Sequence, residues 1–194
     1  MNVKIIKYNA GNIQSVLFAL DRIGVQAQVT DKTEEILSAD KIIFPGVGEA
    51  STAMDYLKRR NLDEVIKAAK QPVLGICLGL QLLCKHSEEH NTECLGIFDA
   101  NVKRFVSEDL KIPHIGWNNI RITDSPLLKS VEDNSFCYFV HSFYAALTSD
   151  TIATTTYANE FSCALNKNNY YGVQFHPEKS ADVGERILRN FLEL

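Results

Sequence analysis

Apolar positions in the first half of the chain alternate between two patterns. Val3-Lys4-Ile5-Ile6-Lys7-Tyr8, Lys41-Ile42-Ile43-Phe44 and the continuously apolar Pro72-Val73-Leu74-Gly75-Ile76 read as strands. Between the first two, Ile13, Val16, Leu17, Leu20 and Ile23 repeat at helical spacing, and Gly24 follows where a helix-ending glycine belongs. Residues 25–29 predict another strand, and Ile36 and Leu37 a short helix. Residues 49–70 predict two helices parted near Asn61, and residues 79–88 one more. Residues 9–12 are a turn-rich break, and Pro45-Gly46-Val47-Gly48 a sharp one. Such strand–helix alternation predicts an α/β fold with a largely parallel central sheet and helices on both faces.

The second half differs. Segments near 119–122, 136–140, 151–156, 161–165 and 170–175 are β-rich and parted by turns. They predict added strands, some antiparallel, on the same sheet. Residues 182–194 carry Val183, Ile187, Leu188, Phe191 and Leu192 on one helical face, with Ser180 as the N-cap. No repeat, low-complexity tract or linker interrupts the chain, so residues 1–194 read as a single domain.

Composition narrows the function. A chain of 194 residues suits one domain that needs no disulfide or metal staple. A net charge of −4 argues against a nucleic-acid-binding surface. No run is apolar for the roughly 18 residues a bilayer span requires, and the N-terminus lacks a signal-peptide pattern. The five cysteines, at 77, 84, 94, 137 and 163, are odd in number and show no CxxC or zinc spacing. A reduced, cytoplasmic protein without metal or cofactor is the expectation.

The strongest chemical signal is Gly75-Ile76-Cys77-Leu78-Gly79 between an apolar strand and a helix. This is a nucleophile elbow with cysteine in the serine position. The turn is tight, and the two glycines remove Cβ atoms that would clash in it. The sulfur sits near a helix N-terminus, which favours thiolate, and the Leu78 amide points to where an oxyanion forms. A thiolate nucleophile wants a base and the base an orienting group. His176-Pro177-Glu178, past an apolar strand, offers both: in extended chain residues i and i+2 share a face. The Pro45–Gly48 loop also ends a strand, and its glycines free Val47 or Gly48 to present a second oxyanion N–H. His86 and His90 read as solvated, and His114 and His141 as loop or sheet residues near the site. Cys84 reads as core, while Cys94, Cys137 and Cys163 show no partner pattern.

These residues resemble the class I (triad) glutamine amidotransferases. The likeness extends through Gly11-Asn12-Ile13-Gln14-Ser15-Val16, Pro113-His114-Ile115-Gly116-Trp117-Asn118, Tyr138-Phe139-Val140-His141-Ser142 and Gly172-Val173-Gln174-Phe175-His176-Pro177-Glu178-Lys179-Ser180. It implies hydrolysis of glutamine to glutamate and ammonia through a thioester on Cys77, with His176 as base and then acid and Glu178 orienting it. It also implies glutamine-holding roles for Gln81, Glu89, Ser142 and the backbone of Gly48 and Phe143. The branch it resembles passes ammonia to a separate (β/α)8-barrel cyclase in a heterodimer. That cyclase converts PRFAR to imidazole glycerol phosphate and AICAR in histidine synthesis. Asn12, Trp117, Tyr138 and Lys179 match the face that meets the cyclase, although Trp117 also reads as a core tryptophan. In this branch the glutaminase is nearly silent until the cyclase holds its ligand, and the Pro45–Gly48 loop is the natural two-state element.

Lys7 and Asn9 depart from the opening common in the branch, and residues 98–101 lack the glycine or proline common in that turn. The opening lies near the cyclase face, which leaves an alternative: a paralogue supplying ammonia to modified-sugar amidination. A stand-alone cysteine hydrolase or peptidase commonly has histidine straight after the cysteine, where this chain has Leu78. A catalytically dead binding subunit would not need all three triad residues.

Overall fold

The computed structural model describes residues 1–8, 13–46 and 48–194. The predicted break at residues 9–12, and with it Asn12 and the oxyanion candidate Val47, lie outside the described residues. The first half runs β1 (Val3–Ile6), α1 (Ile13–Arg22), β2 (Ala27–Thr30), α2 (Thr33–Leu37), β3 (Lys41–Phe44), α3 (Ala50–Arg59), α4 (Leu62–Ala68), β4 (Val73–Ile76) and α5 (Leu78–Leu83). Three short strands follow: β5 (His86–Ser87), β6 (Thr92–Glu93) and β7 (Asn101–Arg104). Then come β8 (His114–Asn119), β9 (Arg121–Ile122), β10 (Phe136–His141), β11 (Phe143–Ala145), β12 (Thr151–Tyr157), β13 (Asn159–Lys167), β14 (Tyr170–Val173) and α6 (Ala181–Glu193).

The heart of the main sheet is parallel, in the order β2-β1-β3-β4-β14. Period-two alternation splits its side chains between two cores. Ile42, Phe44 and Val73 pack on one face with Ile36 of α2, Met54 and Leu57 of α3, and Leu62, Val65 and Ile66 of α4. Val3, Ile5, Ile43, Leu74 and Ile76 face the other side, against Val16 and Leu20 of α1 and Ile187, Leu188 and Phe191 of α6. Burial on both faces explains the apolar runs Ile5-Ile6, Ile42-Ile43-Phe44 and Val73-Leu74 in the central strands. Beyond β14 the sheet continues through antiparallel pairing of β13 with β14, β12 and β11. Among the described residues no helix is long and apolar enough to cross a membrane.

Local chemistry sets the helix ends. The Glu49 carboxylate accepts the Ser51 N–H at the start of α3, and Lys58 and Arg59 complement the dipole in its last turn. Asn61 takes a left-handed φ of 57° and parts α3 from α4, as its position predicts, and Gly24 has φ 80° just after α1.

Three expectations are corrected. The helix after Cys77 ends at Leu83, because Cys84 is extended and Lys85 exchanges backbone bonds with Ala100 and Cys94 instead of continuing the helix. The segment at 136–140 is not on the main sheet. It pairs in β10 with β8 as a separate antiparallel ribbon, with Tyr138 opposite Trp117. Ser180 precedes α6 but its hydroxyl does not cap it: Oγ donates to the His176 carbonyl (2.7 Å) and accepts the Tyr138 N–H (3.0 Å).

Candidate active site

Strand β4 ends where its parallel pairing with β14 carries one step further, the Cys77 N–H donating to the Val173 carbonyl (2.8 Å). Cys77 then turns sharply, with φ 55° and ψ −109°. Such a conformation in a residue with a side chain costs about 1–3 kcal/mol and persists only where its surroundings enforce it. The two glycines of the elbow provide that enforcement. A Cβ on Gly79 would lie 1.9 Å from the Phe44 carbonyl oxygen, and one on Gly75 2.8 Å from the Gly79 carbonyl. The elbow is thus pressed into the end of β3.

His176 follows β14, its backbone held from two sides: its N–H donates to the Tyr138 carbonyl (2.9 Å) and its carbonyl accepts the Ser180 hydroxyl (2.7 Å). Glu178 returns to it through the 3-10 turn Pro177–Lys179, not along an extended strand. Its Oε1 lies 2.8 Å from His176 Nδ1, both side chains being buried. The opposite edge of the imidazole is left for Cys77. Burial disfavours the charged ring. Hydrogen bonds to Cys77 and Glu178, with their charges, outweigh it and push the His176 pKa up to about 10.

A cleft of about 500 Å³ opens over the sulfur. Of the sequence-predicted residues, Gly48, Cys77, Leu78, Gln81, Glu89, Ser142, Phe143, His176 and Lys179 line it. Lys179, expected on a partner face, therefore stands at the cleft. The Leu78 amide, an expected oxyanion donor, donates to the Gly46 carbonyl at 3.4 Å. The same loop is tied by the buried Tyr8 hydroxyl, which donates to the Pro45 carbonyl at 2.5 Å. Gly48 has φ 120°.

The remaining side chains are held by a polar network. Gln81 Nε2 donates to the Phe143 carbonyl (2.9 Å) and to Gln174 Oε1 (3.0 Å), so both of its amide hydrogens are engaged by the protein. Glu89 accepts the Ala50 N–H at the start of α3 (2.7 Å), and burial raises its pKa. His141 Nδ1 lies 2.7 Å from the Phe143 carbonyl and therefore carries the proton; its Nε2 then accepts from His114 Nδ1 at 3.1 Å. His114 stacks on Tyr157, centroids 4.0 Å apart. Burial lowers both pKa values, to about 4 for His114 and about 3 for His141. Cys84, Cys94, Cys137 and Cys163 are buried free thiols whose pKa values burial raises.

Trp117 is not core: it is 52% exposed, on the outer face of the β8–β10 ribbon, with its ring 5.8 Å from that of Tyr138. Ile115 and Phe136 are exposed on the same face. His141, read from the sequence as a loop or sheet residue near the site, lies in β10 and lines the cleft. Sequence reasoning missed Gln174, which is fully buried with its amide nitrogen 3.6 Å from the sulfur. A glutamine within the otherwise apolar run Tyr171-Gly172-Val173-Gln174-Phe175 was the available signal.

The family model for glutamine amidotransferase class-I matches residues 4–194. An imidazole glycerol phosphate synthase subunit HisH from Bacteroides thetaiotaomicron is 56% identical over 196 aligned residues, which cover the whole of both chains. A protein of the same name from Idiomarina loihiensis is 47% identical over 195 residues, covering all of this chain and 98% of its own. Another, from Vibrio cholerae, is 44% identical over 200 residues, covering all of this chain and 98% of its own. Among solved structures, a glutamine amidotransferase superposes with TM-score 0.76 at 18% identity, over all of this chain and 98% of its own. The structure of PurLQS from Thermotoga maritima does so with TM-score 0.75 at 15% identity, over 99% and 97%. At such identities these two likenesses bear on the fold alone.

Proposed function

The chain belongs to the class I glutamine amidotransferase family, and we propose that it is the glutaminase subunit of an imidazole glycerol phosphate synthase. It hydrolyses glutamine at Cys77 and passes the ammonia to a (β/α)8-barrel cyclase subunit that makes imidazole glycerol phosphate and AICAR from PRFAR. The observation that carries the chemistry is His176, hydrogen-bonded to Glu178 and sharing with Cys77 a cleft large enough for an amino acid. Full-length identity to the three HisH proteins supports the pathway, and nothing in those relatives favours modified-sugar amidination.

The steps balance with the groups present. The Cys77 thiolate attacks the carboxamide carbon of glutamine, and the carbonyl oxygen becomes an oxyanion. His176, protonated, gives its proton to the departing nitrogen; the C–N bond breaks, ammonia leaves and a γ-glutamyl thioester remains. Neutral His176 then takes a proton from water, whose oxygen attacks the thioester carbon. The C–S bond breaks, glutamate leaves, and the pair returns to thiolate and imidazolium. Glu178 holds the ring throughout.

The oxyanion needs N–H donors, and the Leu78 amide serves only after the Gly46 carbonyl turns away. A rotation of the peptide that carries the Gly46 carbonyl frees that amide, and the Gly48 N–H supplies a second. That coupling makes the loop the switch through which a ligand-bound cyclase raises glutaminase turnover. Trp117 and Tyr138 form the docking face, and Gln81, Glu89, Ser142 and Phe143 hold glutamine.

The test is glutamate release by the chain alone, then with the cyclase subunit from the same source and its nucleotide ligand, with Cys77→Ala as control. A large ligand-dependent rise, absent in the control, is expected. No rise, with Cys77 still labelled by a glutamine analogue, would overturn the pathway and keep the chemistry.

A further inference from the structure

Gln174 has no exposed surface, and a glutamine buried that deep is costly unless its amide is used. Its nitrogen lies 3.6 Å from Cys77 Sγ. Which end of the amide faces the sulfur follows from the backbone. The Phe143 carbonyl can only accept, so the Gln81 group 2.9 Å from it is the NH2. That same NH2 lies 3.0 Å from the near end of Gln174, which must therefore be its oxygen. The far end, beside the sulfur, is consequently an N–H donor. The Val140 carbonyl, 3.8 Å from Sγ on another side, accepts from a thiol but repels a thiolate.

We infer that Gln174 is a positioning residue for the nucleophile: its amide N–H, locked in orientation through Gln81 by the Phe143 carbonyl, stabilises the Cys77 thiolate and fixes its sulfur. His176 is thus one of two donors to the sulfur. The second cannot give up a proton, so it supports the thiolate while His176 shuttles between acid and base. A donor to a charged group contributes more than one to a neutral group, which makes the bond selective for the thiolate. This inference rests on the glutaminase reading, because only a nucleophilic sulfur needs such support.

The test is the pH profile of Cys77 alkylation by iodoacetamide in the full chain, with the labelled peptide mapped; this needs neither glutamine turnover nor a partner. In Gln174→Leu the midpoint is expected to rise by about one pH unit, a tenfold loss of rate on the rising limb. The high-pH plateau should stay within about twofold. Gln174→Asn, one methylene shorter, keeps a buried amide but withdraws it from the sulfur, and should shift the midpoint the same way. In the unsubstituted protein, the Gln174 side-chain amide resonance should move as the sulfur titrates and stay still in Cys77→Ala. An unmoved midpoint in either folded variant, or an amide resonance indifferent to the sulfur, would overturn the inference. If the unsubstituted Cys77 itself titrates like an ordinary thiol, the glutaminase reading falls first, and the two failures are told apart.

Discussion

The Leu78 amide and the Gly46 carbonyl face each other across 3.4 Å, so the backbone donor nearest the nucleophile is engaged by the loop opposite it. Turning that loop asks most of Gly48, whose φ of 120° is open to glycine and strained for other residues. A Cβ there meets nothing within 4 Å, so the strain is conformational and not steric crowding. Gly48→Ala should blunt ligand-dependent activation by about tenfold, the equivalent of about 1.4 kcal/mol. Partner affinity should stay within about twofold. Equal activated turnover in variant and parent would show that the loop is not the switch.

Removing the orienting carboxylate tests the base. Glu178→Gln keeps the shape but offers His176 Nδ1 no negative charge. By analogy with other triads kcat should fall about 10³- to 10⁴-fold, with little change in KM. Steady-state kinetics with the activated complex measures it; a loss of under about tenfold would remove Glu178 from the mechanism.

The same pair predicts an alkaline limb of stability. The folded pKa of His176, about 10, lies above its ordinary 6.5. Its contribution is therefore complete below about pH 6.5 and is lost as pH rises through about 10. Urea midpoints should decline over that window, and Cys77→Ala should flatten the decline by removing one of the two groups that raise the value.

His114 and His141 act with the opposite sign. Their folded values, about 4 and about 3, lie below 6.5, so folding is fully favoured above about pH 6.5 and penalised as pH falls towards 3. Protonation would also break a chain in which His141 Nε2 must accept. His114→Phe, keeping the stack on Tyr157, should make the acid limb shallower. An acid limb identical to the parent's in urea titrations from pH 7 to 4 would contradict this.

Trp117→Ala separates packing from docking. At 52% exposure its loss should change stability by under about 0.5 kcal/mol. An aromatic anchor at the centre of an interface is commonly worth about 2 kcal/mol or more, so affinity for the cyclase should fall about thirtyfold. Titration calorimetry and a thermal melt together decide it; a destabilised variant with unchanged affinity would reverse the assignment.

How far the sequence carried can be judged from particular residues. Cys77 was legible because its turn forces glycine two residues to either side, and a Cβ on either glycine would meet neighbouring backbone. The parallel heart was legible because two-sided burial writes consecutive apolar residues, such as Ile42-Ile43-Phe44 and Val73-Leu74, into its central strands. The separation of β10 from the main sheet was not, because local alternation fixes which side chains share a face but not which strand lies alongside. Trp117 was ambiguous for a related reason: an apolar residue on the outer face of a ribbon repeats with the same period as one on the inner face. Gln174 was passed over because a single polar residue in a strand reads as ordinary alternation until its neighbours in space are known.

Tyr138 gives the ribbon a further significance. Its side chain lies on the outside against Trp117, while its carbonyl accepts the N–H of His176 and its own N–H donates to Ser180, the residue that holds the His176 carbonyl. Outer surface and catalytic base are therefore one residue apart. The peptides on either side of Tyr138 thus anchor the imidazole from the inner side of the same strand that carries the exposed aromatic pair.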